Sequence, residues 1–214
     1  MANSLIQGVR ETAQVRLAQN DYAHQFDHAE RVVALTDAIG PYEGGDPTIL
    51  TVSGYVHDWC AKQGREQHVS EPAMNEIRRD LESLECPAWV INPVIDVVRH
   101  HEDYDFHGRL PLSKDCLILQ DADRLDALGA IGIARCFYTS AVWGCPLGTL
   151  DDMHPPAEKY HIGQLTPALQ HFYSKLLYLK DSMNTETARK MAEERHHFME
   201  NFLDRFKQEW RGEI

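Results

Sequence analysis

Apolar side chains recur at intervals of three and four residues along almost the whole chain, whereas alternating runs of β-branched and aromatic residues bounded by turns are nearly absent. Such segments bury one stripe of a helix and not one face of a pleated strand, so the expected fold class is all-α. The pattern predicts helices over about residues 4–19, 27–39 (closed by Gly40-Pro41), 48–61 and 74–84, and another entered at Pro87. Pro93 is expected to kink or restart that last helix before His100 and His101. Ser113 can cap a long helix running to about Val142. Helical spacing then resumes over 166–180 and 185–211, the latter with Met191, Phe198, Phe202, Phe206 and Trp210 along one stripe. That stripe reads as core or as the seam of a homodimer. Between Val142 and the segment that starts at residue 166, Gly144, Pro146, Gly148, Pro155, Pro156, Gly163 and Pro167 break any long helix and predict an extended loop or lid. No internal repeat or interdomain linker interrupts the 214 residues, and a single domain over 1–214 is expected.

Composition narrows the functional classes. Hydrophobic residues at 43% and charged residues at 25% are ordinary globular usage, which excludes a disordered scaffold. No run of about 18 apolar residues is present, and the first residues lack the apolar stretch and cleavage site of a signal peptide. A cytoplasmic protein without membrane association is expected. The five cysteines are well separated and never form a CxxC pair, so they read as reduced structural thiols and not as disulfides or zinc ligands. With 21 basic against 33 acidic residues, the net charge of −12 repels polyanions and argues against a stable nucleic-acid complex. A small phosphorylated substrate fits only if a metal supplies local positive charge.

The adjacent pair His57-Asp58 falls at the end of an apolar helical segment, where a carboxylate is costly unless a cation or hydrogen bonds compensate it. His28 lies in an earlier helix within DHAERV, and Asp121 and Asp123 lie in a later one within DADRL. Two imidazoles and two carboxylates from three helices can surround a divalent ion, and such a mixed set suits Mn, Fe, Co, Ni or Zn.

A His, then His-Asp, then a distant Asp resembles the HD superfamily of metal-dependent phosphohydrolases. The strings QDADRLDALGAIGIARCF and KLLYLKDSMNTETARKMAEERHHFMENF are similar to its stand-alone bacterial YpgQ/YedJ-like branch, so the resemblance spans about residues 24–202. It implies an all-α helical bundle, a divalent metal (Mn, Ni, Co, Fe, Zn or Mg) and a nucleotide phosphohydrolase activity. Carried over, the metal ligands are His28, His57, Asp58 and Asp123. Asp121 competes for the last place, but positions two apart on a helix point about 200° from each other, so only one can face the ion. Asp123 shares its face with the small Ala127 and Ala130, and Asp121 shares its side with Leu125 and Leu128, which favours Asp123. Where the family often has His-Asp four residues before the first ligand, this chain reads His24-Gln25.

The resemblance implies hydrolysis by metal-bound hydroxide, with Asp58 and His57 catalytic and Lys62, Arg65, His101 and Lys175 contacting a nucleotide substrate. The favoured reaction is release of pyrophosphate from a (deoxy)nucleoside triphosphate. The alternatives are a 5′-nucleotidase or cyclic-nucleotide phosphodiesterase of the same fold, or a non-catalytic nucleotide-binding helical protein. His24, His107, His154, His161, His171, His196 and His197 read as ordinary core or surface imidazoles, with His24 one turn before His28 and able to support it. His100-His101 is intermediate, with His101 as apt to cap its helix as to contact phosphate or a second metal.

Overall fold

The computed structural model describes residues 2–21, 23–61, 69–102, 111–156 and 164–214. Among these, nine α-helices and no strand are present, as the helical periodicity requires. The chain divides into two compact units, Met1–Asp123 and Arg124–Ile214. No single helix among the described residues is long and apolar enough to cross a membrane.

The first unit contains α1 (Ala2–Leu17), α2 (Phe26–Glu43), α3 (Pro47–Val56), α4 (Glu71–Ser83), α5 (Ala88–His100) and most of α6 (Lys114–Asp126). Its centre is α3, which packs against α1, α2 and α5. Asp46 starts α3 by accepting from the backbone N–H groups of Thr48 and Ile49 at 2.8 and 3.1 Å, with Pro47 at the first helical position. Every residue from Val52 to Val56 is buried. Val52 and Val56 are fully sealed, and each contributes about 1.5–3 kcal/mol of apolar burial. Gly54 permits the close approach of α2, because a β-carbon there would lie 2.7 Å from Val33 Cγ2.

Helix boundaries differ from the expected ones in several places, and α3 itself stops at Val56 instead of running to residue 61. Helix α2 runs through Gly40-Pro41 and stops at Gly44, whose φ of 79° is the left-handed helix stop. Helix α5 is continuous through Pro93. Both prolines sit on water-facing sides, Pro41 with Asp37 and Ala38, Pro93 with Trp89, Asn92 and Asp96, so the carbonyl that each deprives of a donor can be hydrated. The long helix expected over 113–142 is two, α6 and α7 (Gly129–Val142), because Gly129 adopts a φ of 71° that ends one helical path and starts another.

The second unit contains α7, α8 (Ala168–Ser174), a 3-10 segment (Leu176–Ser182) and α9 (Glu186–Trp210). Phe137, Phe172, Phe202, Phe206 and Trp210 form a chain of ring contacts with centroids 5.7–6.5 Å apart. The buried line of α9 is Ala188, Ala192, His196, Met199 and Leu203, one position away from the aromatic stripe, and Phe198 is half exposed. In the expected 144–167 loop, a 3-10 turn forms at Leu150–Asp152, and the backbone of Ala168 and Leu169 donates to Pro146 and Leu147. Residues 157–163 of that loop lie outside the described residues. None of the five cysteines is in a disulfide, and four of them are buried.

Candidate metal centre

His28 occupies the first turn of α2, which brings its buried ring toward the end of α3. His57 caps α3, and its Nδ1–H donates to the Gly54 carbonyl at 2.9 Å. A carbonyl only accepts, so this bond fixes the tautomer and leaves Nε2 to face the cluster. The Nε2 atoms of His57 and His28 stand 3.2 Å apart. Asp58, in the turn after α3, places Oδ2 3.2 Å from His57 Nε2 and 3.5 Å from His28 Nε2. One ligand atom each from His28, His57 and Asp58 lies within 4.8 Å of the others.

Asp123 joins from α6 on the His28 side, with Oδ1 3.3 Å from Nε2. Its side chain is 28% exposed where those of His28 and Asp58 are 2% and 8%, so the cluster opens to solvent at Asp123. Asp121 is fully buried, and its interactions are within the fold.

The donor set fits a divalent cation. Asp58 Oδ2 is buried without a directed hydrogen bond, although two imidazole nitrogens are within 3.5 Å. Two neutral Nε2 lone pairs facing each other at 3.2 Å repel, so a cation or a proton must lie between them. Two nitrogens and carboxylate oxygens without a thiolate match a borderline-hard divalent ion.

In the metal-free protein a proton plays part of that role. Burial opposes charge on His57, but Asp58, followed by Asp123, outweighs it and raises its pKa to about 9. Burial would also raise the carboxylate pKa of Asp58, yet His57 and His24 hold it well below the usual range. Asp123 behaves alike, with the His28 hydrogen bond and the charges of His28 and His57 overcoming burial.

Of the expected substrate contacts, His101 lies at the cluster. It caps α5, is buried, and packs its ring against His57 with centroids 5.4 Å apart. Its Nδ1–H donates to the Val98 carbonyl, and burial together with the His57 charge lowers its pKa to about 4. Gln120 donates to the His100 carbonyl at 2.9 Å, which ties this end of α5 to α6. Lys175 stands in the second unit, where α8 meets the 3-10 segment. Lys62 and Arg65 lie outside the described residues, as do His107 and His161.

His24 does more than the ordinary-imidazole reading assigned to it. Asp21 Oδ1 accepts from its Nδ1–H and from the Ala23 backbone, both at 2.8 Å, and its ring lies edge-on to His28 at 6.1 Å. Burial opposes its charge, but Asp58 and the Asp21 bond raise its pKa. The Asp-x-x-His spacing was a legible sign of this pair.

An HD domain family model matches residues 26–128, a span that includes all four expected ligand positions. The protein YpgQ of Bacillus subtilis is 34% identical over 198 residues, covering 91% of this chain and 88% of YpgQ. The chain belongs to the HD superfamily of metal-dependent phosphohydrolases. Solved structures extend the similarity over nearly the whole chain. Bacillus subtilis YpgQ in complex with ADP is 30% identical with a TM-score of 0.77, covering 97% of this chain and 96% of that one. An HD-superfamily hydrolase from Bacillus thuringiensis is also 30% identical, with a TM-score of 0.76 and 99% of each chain covered. This HD protein is thus an all-α hydrolase with a His–His–Asp candidate site for a divalent metal.

Proposed function

We propose that this HD hydrolase is a (deoxy)nucleoside triphosphate pyrophosphohydrolase with His28, His57, Asp58 and Asp123 holding its divalent ion. The observation that carries the metal part is the buried Asp58 Oδ2, left without a hydrogen bond between two imidazole nitrogens. Support for a nucleotide comes from YpgQ, which crystallised with ADP. The ion, one of Mn, Co, Ni, Fe, Zn or Mg, supplies Lewis-acid charge toward a phosphoryl oxygen and acidifies a water.

The protein side of the chemistry follows from the fixed tautomers and charges. The Gly54 bond keeps His57 Nε2 directed at the cluster, and Asp58 stays anionic, able to accept from and orient a water. His101 contributes a lone pair and not a charge near neutral pH, since its Nδ1–H is committed to Val98. Lys62, Arg65 and Lys175 are the cations assigned to developing phosphate charge. The small-molecule nucleotide is the partner in this reading, with no nucleic acid or membrane required.

A nucleotide panel with each divalent ion, its products separated as phosphate or pyrophosphate, tests the proposal. Equal amounts of monophosphate and pyrophosphate are expected from a triphosphate. Orthophosphate as first product supports the nucleotidase, turnover of a cyclic nucleotide supports the phosphodiesterase, and nucleotide binding without turnover supports the non-catalytic protein.

A further inference from the structure

Asn20 follows α1 and is 7% exposed. Its carboxamide nitrogen lies 2.8 Å from the Asp58 carbonyl and 3.1 Å from the His24 carbonyl. That nitrogen carries two hydrogens, one for each oxygen. The Asp58 carbonyl also accepts from the Ala61 N–H at 3.0 Å, so both of its lone pairs are engaged. The two carbonyls belong to separate parts of the chain: His24 stands in the turn that leads through Gln25 into α2 and His28, and Asp58 stands in the turn that ends α3.

We infer that Asn20 is a positioning residue for the metal centre, its amide fixing the Asp58 peptide against the turn that delivers His28. The inference rests on the metal reading above. Asp58 lies in the turn after α3, held by Trp59 N–H to the Val56 carbonyl and Ala61 N–H to the Asp58 carbonyl. The Asn20 amide ties this turn to the His24 turn, which keeps the backbone that carries Asp58 at a fixed distance from the backbone that enters α2 and His28. Few side chains can replace the amide. Aspartate has the same shape but no donor, serine offers one donor, and glutamine is a methylene too long.

The test measures Mn²⁺ affinity by titration calorimetry, with metal-free melting temperature alongside, for wild type, Asn20→Asp, Asn20→Ser and Val9→Ala. Val9 is a fully buried residue of α1 whose truncation lowers stability without touching the centre. Asn20→Asp is expected to weaken Mn²⁺ binding by about 10- to 100-fold, the range for lost supporting hydrogen bonds, and Asn20→Ser by less. The added negative charge would by itself strengthen cation binding, so a loss reports displaced ligands. Val9→Ala should melt earlier yet bind Mn²⁺ within about twofold of wild type, since it removes only packing. If Asn20→Asp does not fold, Asn20→Ser carries the comparison. Wild-type affinity in the Asn20 variants, or an equal loss in Val9→Ala, overturns the inference and leaves the metal reading standing. A wild-type protein that binds no divalent ion overturns both.

Discussion

His57 and His101 terminate two different helices in the same way: each caps its helix, each donates Nδ1–H to the carbonyl three residues earlier, and their rings meet edge-on 5.4 Å apart. Backbone acceptors therefore set both tautomers before any ligand arrives. The two rings differ in charge, because the carboxylates raise the pKa of His57 whereas burial and the neighbouring His57 lower that of His101.

His101→Gln keeps a polar side chain at α5's end but removes the oriented imidazole. A loss of about 100-fold in kcat/KM is expected, at the lower end of what a positioned proton acceptor contributes. Bound-metal stoichiometry should be unchanged. Steady-state kinetics with metal analysis checks this, and loss of the metal would make His101 a ligand.

Asp123 and Asp121 should respond differently to alanine. Asp123 reaches His28 at 3.3 Å on the open side of the cluster, so Asp123→Ala is expected to release the metal and also to lose the stabilisation its carboxylate draws from His28 and His57. Asp121 is fully buried with partners in the fold, and Asp121→Ala is expected to cost about 1–3 kcal/mol while the metal is retained. Metal content separates the two, and denaturant melts measure each loss of stability.

If His57 holds the ion as proposed, the ion and the His57 proton compete for one site. In the metal-free protein the folded pKa of His57, about 9, exceeds its ordinary 6.5. Its stabilising contribution is therefore complete below about 6.5 and is lost as pH rises through about 9. Asp58 and Asp123 have lowered values, so theirs is present above the ordinary carboxylate range and is lost on acidification. Metal binding expels the His57 proton, so affinity should rise between pH 6.5 and 9, with about one proton released per ion in this window. Calorimetry in buffers of different ionisation enthalpy measures that proton.

Gly54 matters because α2 and α3 bring the two imidazoles together. A methyl at 54 would stand 2.7 Å from Val33 Cγ2, on a stiff β-branched side chain, so the helices must separate. Gly54→Ala is expected to cost about 1–3 kcal/mol and to weaken metal binding as His28 and His57 part. Thermal melts with metal titration test both effects.

Much of the architecture was legible because apolar side chains recur at helical spacing and helix starts carry local chemistry. Ser113, read as a cap, accepts from the Cys116 N–H at 3.2 Å, whereas the caps Asp46 and Ser70 start their helices ahead of the expected residues 48 and 74. Gly40-Pro41 did not stop its helix and Pro93 did not restart its own, because a proline's effect depends on whether it faces water, which spacing does not display. The order His28, His57-Asp58, Asp123 singled out the four side chains, but the meeting of His28 with His57 depends on the Gly54–Val33 approach, a tertiary contact. Asn20 left no local sign, since both acceptors are backbone oxygens and one is 38 residues away.

His28, His57, Asp58 and Asp123 are proposed to share one divalent ion. Anomalous diffraction from crystals soaked in manganese tests this most directly. One peak within coordination distance of both Nε2 atoms and of oxygens from Asp58 and Asp123 is the expected result. A peak elsewhere, or none among these four side chains, would contradict it.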